Sequence, residues 1–352
     1  TVDKGPAGID TLIDVDNVLN AGWTTGGLNI RGTDGNDTFT VAPDGEQWMS
    51  IRGNGGADTF NVSGTGQVRI EYNGEAGPII ADLGAGTVEH DGFTDTINGS
   101  IWEIRATDAS DQLTGSDADE SFIARGGNDT IDGGDGDDNI GGGKDNDSLE
   151  GGAGNDTIGS GSGSDSGNGG AGDDIVNGGT GSDTLTGGSG NDTMGAGFDD
   201  DIAYGGIGHD SIGGGTGRDT IFGEDGNDTI GAGEGDDIVK GGAGDDFLAG
   251  GGRNDVIDGG IGDDLINGGK GNDTMTGQAG ADVFIFTAFF DGEIDVITDF
   301  ADGIDMLRMT GIENAPNSGL RGKVAALNIT DTADGAQINY EGHSIILQGT
   351  SA

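Results

Sequence analysis

Cysteine is absent from the 352 residues, proline occurs only 4 times, and aromatic residues make up 5%. Without cysteine the chain has neither disulfides nor thiolate zinc sites, and it tolerates an oxidising compartment. No stretch reaches the roughly 18 consecutive apolar residues of a membrane span. Basic residues are scarce too: 14 Lys and Arg stand against 64 Asp and Glu, a net charge of −50. That balance excludes nucleic acid as an electrostatically favoured partner and makes cations the expected one. At 31% the apolar fraction is low for two or three compact cores, so a repeat architecture is expected instead. The chain opens at Thr1 without Met or a basic-then-apolar leader, as expected of a fragment or a processed product.

What the chain has in abundance is glycine, 80 residues, and acid. From Asp111 the two fall into register. An acid returns every ninth position through Asp111, Glu120, Asp129, Asp138, Asp147, Asp156, Asp165, Asp174, Asp183, Asp192, Asp201, Asp210, Asp219, Asp228, Asp237, Asp246, Asp255, Asp264, Asp273 and Asp282. That is (282 − 111)/9 = 19 steps, hence 20 units of the form Gly-Gly-x-Gly-x-Asp-x-apolar-x. A Gly-rich segment of six residues can turn tightly with positive φ, and the three residues centred on the apolar position can make a short strand with that side chain inward. Two units then form one coil of a parallel β-solenoid, and alternate acids form two turn stacks, one starting from Asp111 and the other from Glu120.

Acids stacked at the strand spacing of about 4.8 Å repel by roughly 3 to 4 kcal/mol per neighbouring pair at an effective dielectric near 20. One apolar side chain per unit cannot fold such an array unaided, so a divalent ion is required between the turns. Carboxylates and backbone carbonyls on a flexible loop are hard oxygen donors, which favours Ca²⁺ over Mg²⁺. About one Ca²⁺ per unit would supply up to roughly +40, close to the charge that must be offset.

Residues 1–107 carry two isolated copies of the motif, around Asp37 and Asp58, and strand candidates at 28–30, 48–51, 68–72, 79–82 and 101–104. They are read as irregular solenoid coils, with a small β-sandwich as the alternative. Residues 108–284 are the array. From Val283 the hydrophobicity rises, at Phe284, Phe286, Phe289, Phe290, Ile297 and Phe300, and residues 285–352 are read as a β cap over the last coil, finished by antiparallel strands at 324–329, 337–340 and 345–347.

The unit Gly151-Gly152-Ala153-Gly154-Asn155-Asp156-Thr157-Ile158 resembles the repeat of RTX, or hemolysin-type, calcium-binding proteins. Asp95-Thr96-Ile97 through Gly115 is similar to the lead-in of such arrays. Gly280 to Phe284 with Asp295 to Phe300 is similar to the closing cap of serralysin-type proteins. The resemblance implies an all-β fold, a right-handed parallel β-roll with a small C-terminal β cap. It also implies Ca²⁺ bound by the sixth-position acid with its counterpart two units on, and export through a type I secretion machinery directed by an uncleaved C-terminal signal. The ending Gly349-Thr350-Ser351-Ala352 lacks the hydrophobic terminus of such a signal, so a trimmed C-terminus is expected.

The expected ligands are Asp37, Asp58 and the array acids named above, with Asp255 set apart. Its fourth-position glycine is replaced by Arg253, a fixed cation, so that site is expected to be weak or vacant. Asp145 and Asp199 replace the same glycine on the same stack, and Ala109 and Ala118 replace it in the first unit of each stack. The inward apolar residue fails at Gly167 and Ala203, so a looser core is expected near residues 165–203, and the two stacks are expected to fill with calcium unequally. An EF-hand at Asp135–Asn139 fails on spacing, and Gly143-Lys144-Asp145 is not a P-loop. Asn-Asp-Thr triplets at Asn128, Asn155, Asn191, Asn227 and Asn272 match a glycosylation acceptor only because the repeat contains them. His90, His209 and His343 are solitary and expected to be exposed, and no catalytic constellation stands out. Three roles follow: a calcium-triggered folding and export module of a larger extracellular protein, a calcium-dependent adhesin or surface-layer module, or the non-catalytic end of a secreted enzyme. The adhesin reading adds a cell-surface polysaccharide or further copies of the chain as partners.

Overall fold

The computed structural model describes residues 2–4, 10–12, 28–45, 47–301, 303–310, 328–332 and 335–348. Among these every regular element is a β-strand. The chain divides into two compact units, residues 1–176 and 177–352, each a parallel β-solenoid.

Each nonapeptide builds a strand of six residues, such as Thr130–Asp135 and Ser148–Ala153 in the first unit and Thr220–Asp225 and Thr229–Glu234 in the second. The expected division into a three-residue strand and a six-residue turn is therefore reversed. The physical reason is that the paired glycines belong to the sheet: Gly134 pairs with Gly152 and Gly143 with Gly161. Gly152 has φ 113° and Gly154 has φ 137°, so the chain bends at the second and fourth positions while keeping its ladder. A Cβ on Gly152 would collide with the Gly134 carbonyl of the preceding coil.

Register is what makes the core. Adjacent strands of one sheet are offset by one coil, which stacks Leu185, Ala203, Ile221, Val239, Ile257 and Met275 in one column. Met194, Ile212, Ile230, Leu248, Ile266 and Phe284 form the facing column. All are buried, Ala203 included, and Gly167 stands opposite Leu149 in the first unit.

In the first unit Leu28–Arg31, Trp48–Arg52, Gln67–Glu71, Glu103–Arg105 and Ser121–Ile123 pair in parallel. Among the described residues this parallel pairing is that of successive solenoid coils. The other sheet holds an inset that the sequence did not announce. Thr87–His90 runs antiparallel to both Phe93–Asn98 and Ile79–Asp82, while Phe93–Asn98 continues in parallel from Thr59–Val62. In the second unit Val283–Phe286 and Ile294–Ile297 extend the two columns. Ile294–Ile297 then pairs with His343–Gln348, which closes through antiparallel Gly335–Tyr340 and Asn328–Thr332 into a small mixed sheet. The expected strand at 324–329 begins outside the described residues, and so do the last four residues of the chain.

Candidate metal centres

At each turn the sixth-position aspartate points inward and is buried. Its Oδ1 accepts the backbone N–H of the corresponding acid one coil earlier. In the first unit these bonds run from Asp111 to Asp129, Asp147 and Asp165, and from Glu120 to Asp138, Asp156 and Asp174, at 2.7–2.9 Å. In the second they run from Asp183 through Asp201, Asp219, Asp237 and Asp255 to Asp273, and from Asp192 through Asp210, Asp228, Asp246 and Asp264 to Asp282, at 2.8–3.0 Å. The acids expected to act together are thus brought together in two ladders within each unit.

The other oxygen is left over. Oδ2 is buried without a hydrogen-bond donor in Asp58, Asp129, Asp138, Asp147, Asp156, Asp201, Asp210, Asp219, Asp228, Asp237, Asp246, Asp255, Asp264, Asp273 and Asp282. Burying an unpaired carboxylate oxygen costs several kcal/mol, and the cost recurs at rung after rung, which bound cations near neutral pH would offset. The first-position glycine shapes the cradle: a Cβ on Gly223 would strike Asp228 Oδ2 and the Gly241 carbonyl of the next coil. Two oxygens, one charged and one from the backbone, therefore converge where no side chain fits. Among the described residues no group of three or more His, Cys, Asp or Glu side chains is placed to hold a metal ion, so an ion here would draw on backbone carbonyls as well. That oxygen-only donor set fits Ca²⁺.

Burial pushes these carboxyls up, against the pull of the backbone N–H and with the help of neighbouring carboxylates. Asp147, Asp156, Asp219, Asp228, Asp246 and Asp273 rise to about 6. Asp58, Asp129, Asp138, Asp201 and Asp264 rise to about 7, and Asp255 to about 8.

Some rungs are different. Asp37, Asp111 and Glu120 stand among the expected ligands, yet protein donors already serve their carboxylates. Thr33 gives its N–H and hydroxyl to Asp37 Oδ2, Thr107 gives both to Asp111, and Ser116 gives both to Glu120. Three further rungs escaped the sequence reading. The N–H of Asp58 donates to Asp95 Oδ1, that of Asp273 to Asp295 Oδ1, and that of Asp282 to Asp305 Oδ1, at 2.7, 2.9 and 3.1 Å. The signal was present: Asp95-Thr96-Ile97, Asp295-Val296-Ile297 and Asp305-Met306-Leu307 all keep the Asp-x-apolar triplet, displaced by inserted residues. His90 and His343, expected on the surface, are each 2% exposed; the inset and the cap fold over them. Only His209 is exposed as expected.

A second ladder runs the other way outside the first. At the fifth position Asn155 N–H donates back to Asp137 Oδ1, Asp173 N–H to Asn155 Oδ1, Arg218 N–H to Asp200 Oδ1 and Asn227 N–H to His209 Nδ1, at 2.7–2.8 Å. The Asn-Asp pairs are therefore inter-coil staples. Arg253 adopts φ 78° in place of glycine and is exposed, while Asp255 keeps the ladder geometry with a free Oδ2. The cation expected to disable this rung thus makes no bond to that oxygen. The two stacks do differ in their cradles. On the Asp111 side the first position alternates between glycine and the buried Ala124, Ser160, Ala196 and Ala232 as far as Gly250, whereas on the Glu120 side it is glycine from Gly115 through Gly277.

The family model for the RTX calcium-binding nonapeptide repeat (4 copies) matches residues 114–149, 132–167, 168–203, 204–239, 222–257, 240–275 and 249–284. Among curated proteins none matches the sequence. The matched repeats coincide with the ladders of half-satisfied carboxylates, so residues 114–284 are an array of RTX calcium-binding nonapeptide repeats and form a calcium-binding structural module.

Proposed function

We propose that this chain is the calcium-triggered folding and export module of a larger extracellular protein, with a structural and not a catalytic role. The observation that carries the reading is the column of buried, donorless Oδ2 atoms, which makes the native fold costly without a divalent ion. In the low calcium of a cytosol, a chain of net charge −50 stays expanded and can thread a channel. Outside, ion binding and folding become one event. One ion per unit, held by the array aspartates, is the stoichiometry we assign, and a type I secretion machinery is the exporter. Expression beside such an exporter tests this: the chain should reach the medium, and forcing it to fold inside the cell should block its release. Export unaffected by prior folding would overturn the reading.

A further inference from the structure

The ladder departs from its 18-residue spacing at Asp58, Asp95, Asp295 and Asp305, and two of these departures, at Asp95 and Asp295, are built in the same way. Asp95 lies 37 residues after Asp58, and Asp295 lies 22 after Asp273. Each keeps the ladder bond through Oδ1, and each turns its Oδ2 toward a buried imidazole. His90 Nε2 is 3.1 Å from Asp95 Oδ2, and His343 Nε2 is 2.8 Å from Asp295 Oδ2. The atom that lacks a donor on the regular rungs therefore faces a ring nitrogen at ion-pair distance here, although the ring N–H is not aligned along the contact. Tyr72 also donates its hydroxyl to Asp95 Oδ2 at 2.8 Å.

We propose that Asp95 and Asp295 are metal-free rungs, in which His90 and His343 stand where calcium stands on the regular rungs and close the ladder at the ends of its ordered stretches. The proposal rests on the calcium reading above. The device occurs once in each unit, on unrelated local sequence, with the ring delivered by the inset strand Thr87–His90 in one case and by the cap strand His343–Gln348 in the other. His90 lies on the strand antiparallel to the one bearing Asp95, and His343 lies on the strand parallel to the one bearing Asp295. Aromatic walls hold each imidazole: Tyr72 and Phe93 have ring centres 5.4 and 6.2 Å from His90, and Phe289 and Phe286 are 5.7 and 6.2 Å from His343. Around His343 a further carboxylate, Glu293, places Oε2 3.6 Å from Nδ1. A ring nitrogen at hydrogen-bond distance leaves no coordination position for an ion that needs six or more oxygens, while a singly charged imidazolium suffices for one carboxylate.

The test is calcium stoichiometry, counted by native mass spectrometry on the whole chain and its variants. Asn keeps the Oδ1 acceptor, so Asp→Asn separates ion binding from the staple. Asp228→Asn should lose at least one ion, whereas Asp95→Asn and Asp295→Asn should bind as many as the parent while needing about tenfold more calcium to fold. If Asp295→Asn or Asp95→Asn loses an ion as Asp228→Asn does, the proposal is overturned and the calcium reading stands. If Asp228→Asn loses none, the calcium reading itself fails. A second measurement needs no variant: nitrogen-correlated NMR of the calcium-loaded parent should show a slowly exchanging Nε2–H on both His90 and His343. Fast exchange on both rings would mean that calcium had displaced them.

Discussion

The backbone N–H of Asp210 donates to Asp228 Oδ1 at 2.8 Å, and this bond divides the labour of the Asp228 carboxylate. One oxygen staples two coils, and the other is left buried and donorless.

Substitutions at Asp228 should separate these tasks. Asp228→Asn retains the acceptor and removes the charge, so the calcium affinity of its rung should fall while the apo chain is no less stable. Asp228→Ala removes both and leaves the Asp210 N–H unpaired, which should cost a further 1–3 kcal/mol or so in the calcium-loaded protein. Isothermal titration and denaturant unfolding in saturating calcium read the two effects, and equal unfolding free energies for both variants would contradict the division.

The pH dependence follows from the raised carboxyls. Their folded values, about 6 for Asp228, about 7 for Asp264 and about 8 for Asp255, lie above the ordinary aspartate value of 3.8. A raised acid stabilises the metal-free fold fully below its unfolded value, and that contribution is lost as pH rises through the folded value. Chelated protein should therefore be most compact near pH 4 and should expand between about pH 4 and 8. Calcium binding near neutral pH should release protons, and affinity should drop on acidification. Compaction followed by light scattering in chelator checks this; a chelated chain that is more compact at pH 8 than at pH 4 would contradict it.

Gly223→Ala places a Cβ against Asp228 Oδ2 and the Gly241 carbonyl. We expect lower calcium affinity at that rung and a cost of about 1–3 kcal/mol from overpacking, measured by calcium-dependent unfolding. The buried Ala196 and Ala232 of the other stack offer the reverse experiment, since Ala196→Gly should strengthen calcium binding there.

Ile230 is fully buried and in register with Ile212 and Leu248. Ile230→Ala should cost about 2–5 kcal/mol in calcium-saturated protein. A cost under about 1 kcal/mol would mean that the column is not close-packed.

Much of this architecture is legible in the sequence because period and chemistry coincide. The nine-residue return of acid, with Ile230 or Leu248 two places later, fixes both the inward column and the ladder of carboxylates. What hides from a sequence is what departs from the period. Asp95 and Asp295 join the ladder only after insertions that return the chain to the sheet, and His90 and His343 look solitary because their partners meet them through strand pairing. The glycine pair misleads in another way. Its freedom suggests a turn, whereas in Gly134 and Gly152 positive φ is accommodated inside the ladder. Arg253 is expected to weaken its rung, and the structure adds only that its side chain is exposed and makes no bond to Asp255 Oδ2.

The central claim is that the fold needs calcium because the inner ladder is left half-satisfied. Far-ultraviolet circular dichroism during a calcium titration at pH 7.5 or so, reversed by chelator, tests it most directly. The account predicts a disordered spectrum without calcium, a cooperative rise of strand signal with it, and full reversal on chelation. A strand signal that persists unchanged in chelator at that pH would contradict it.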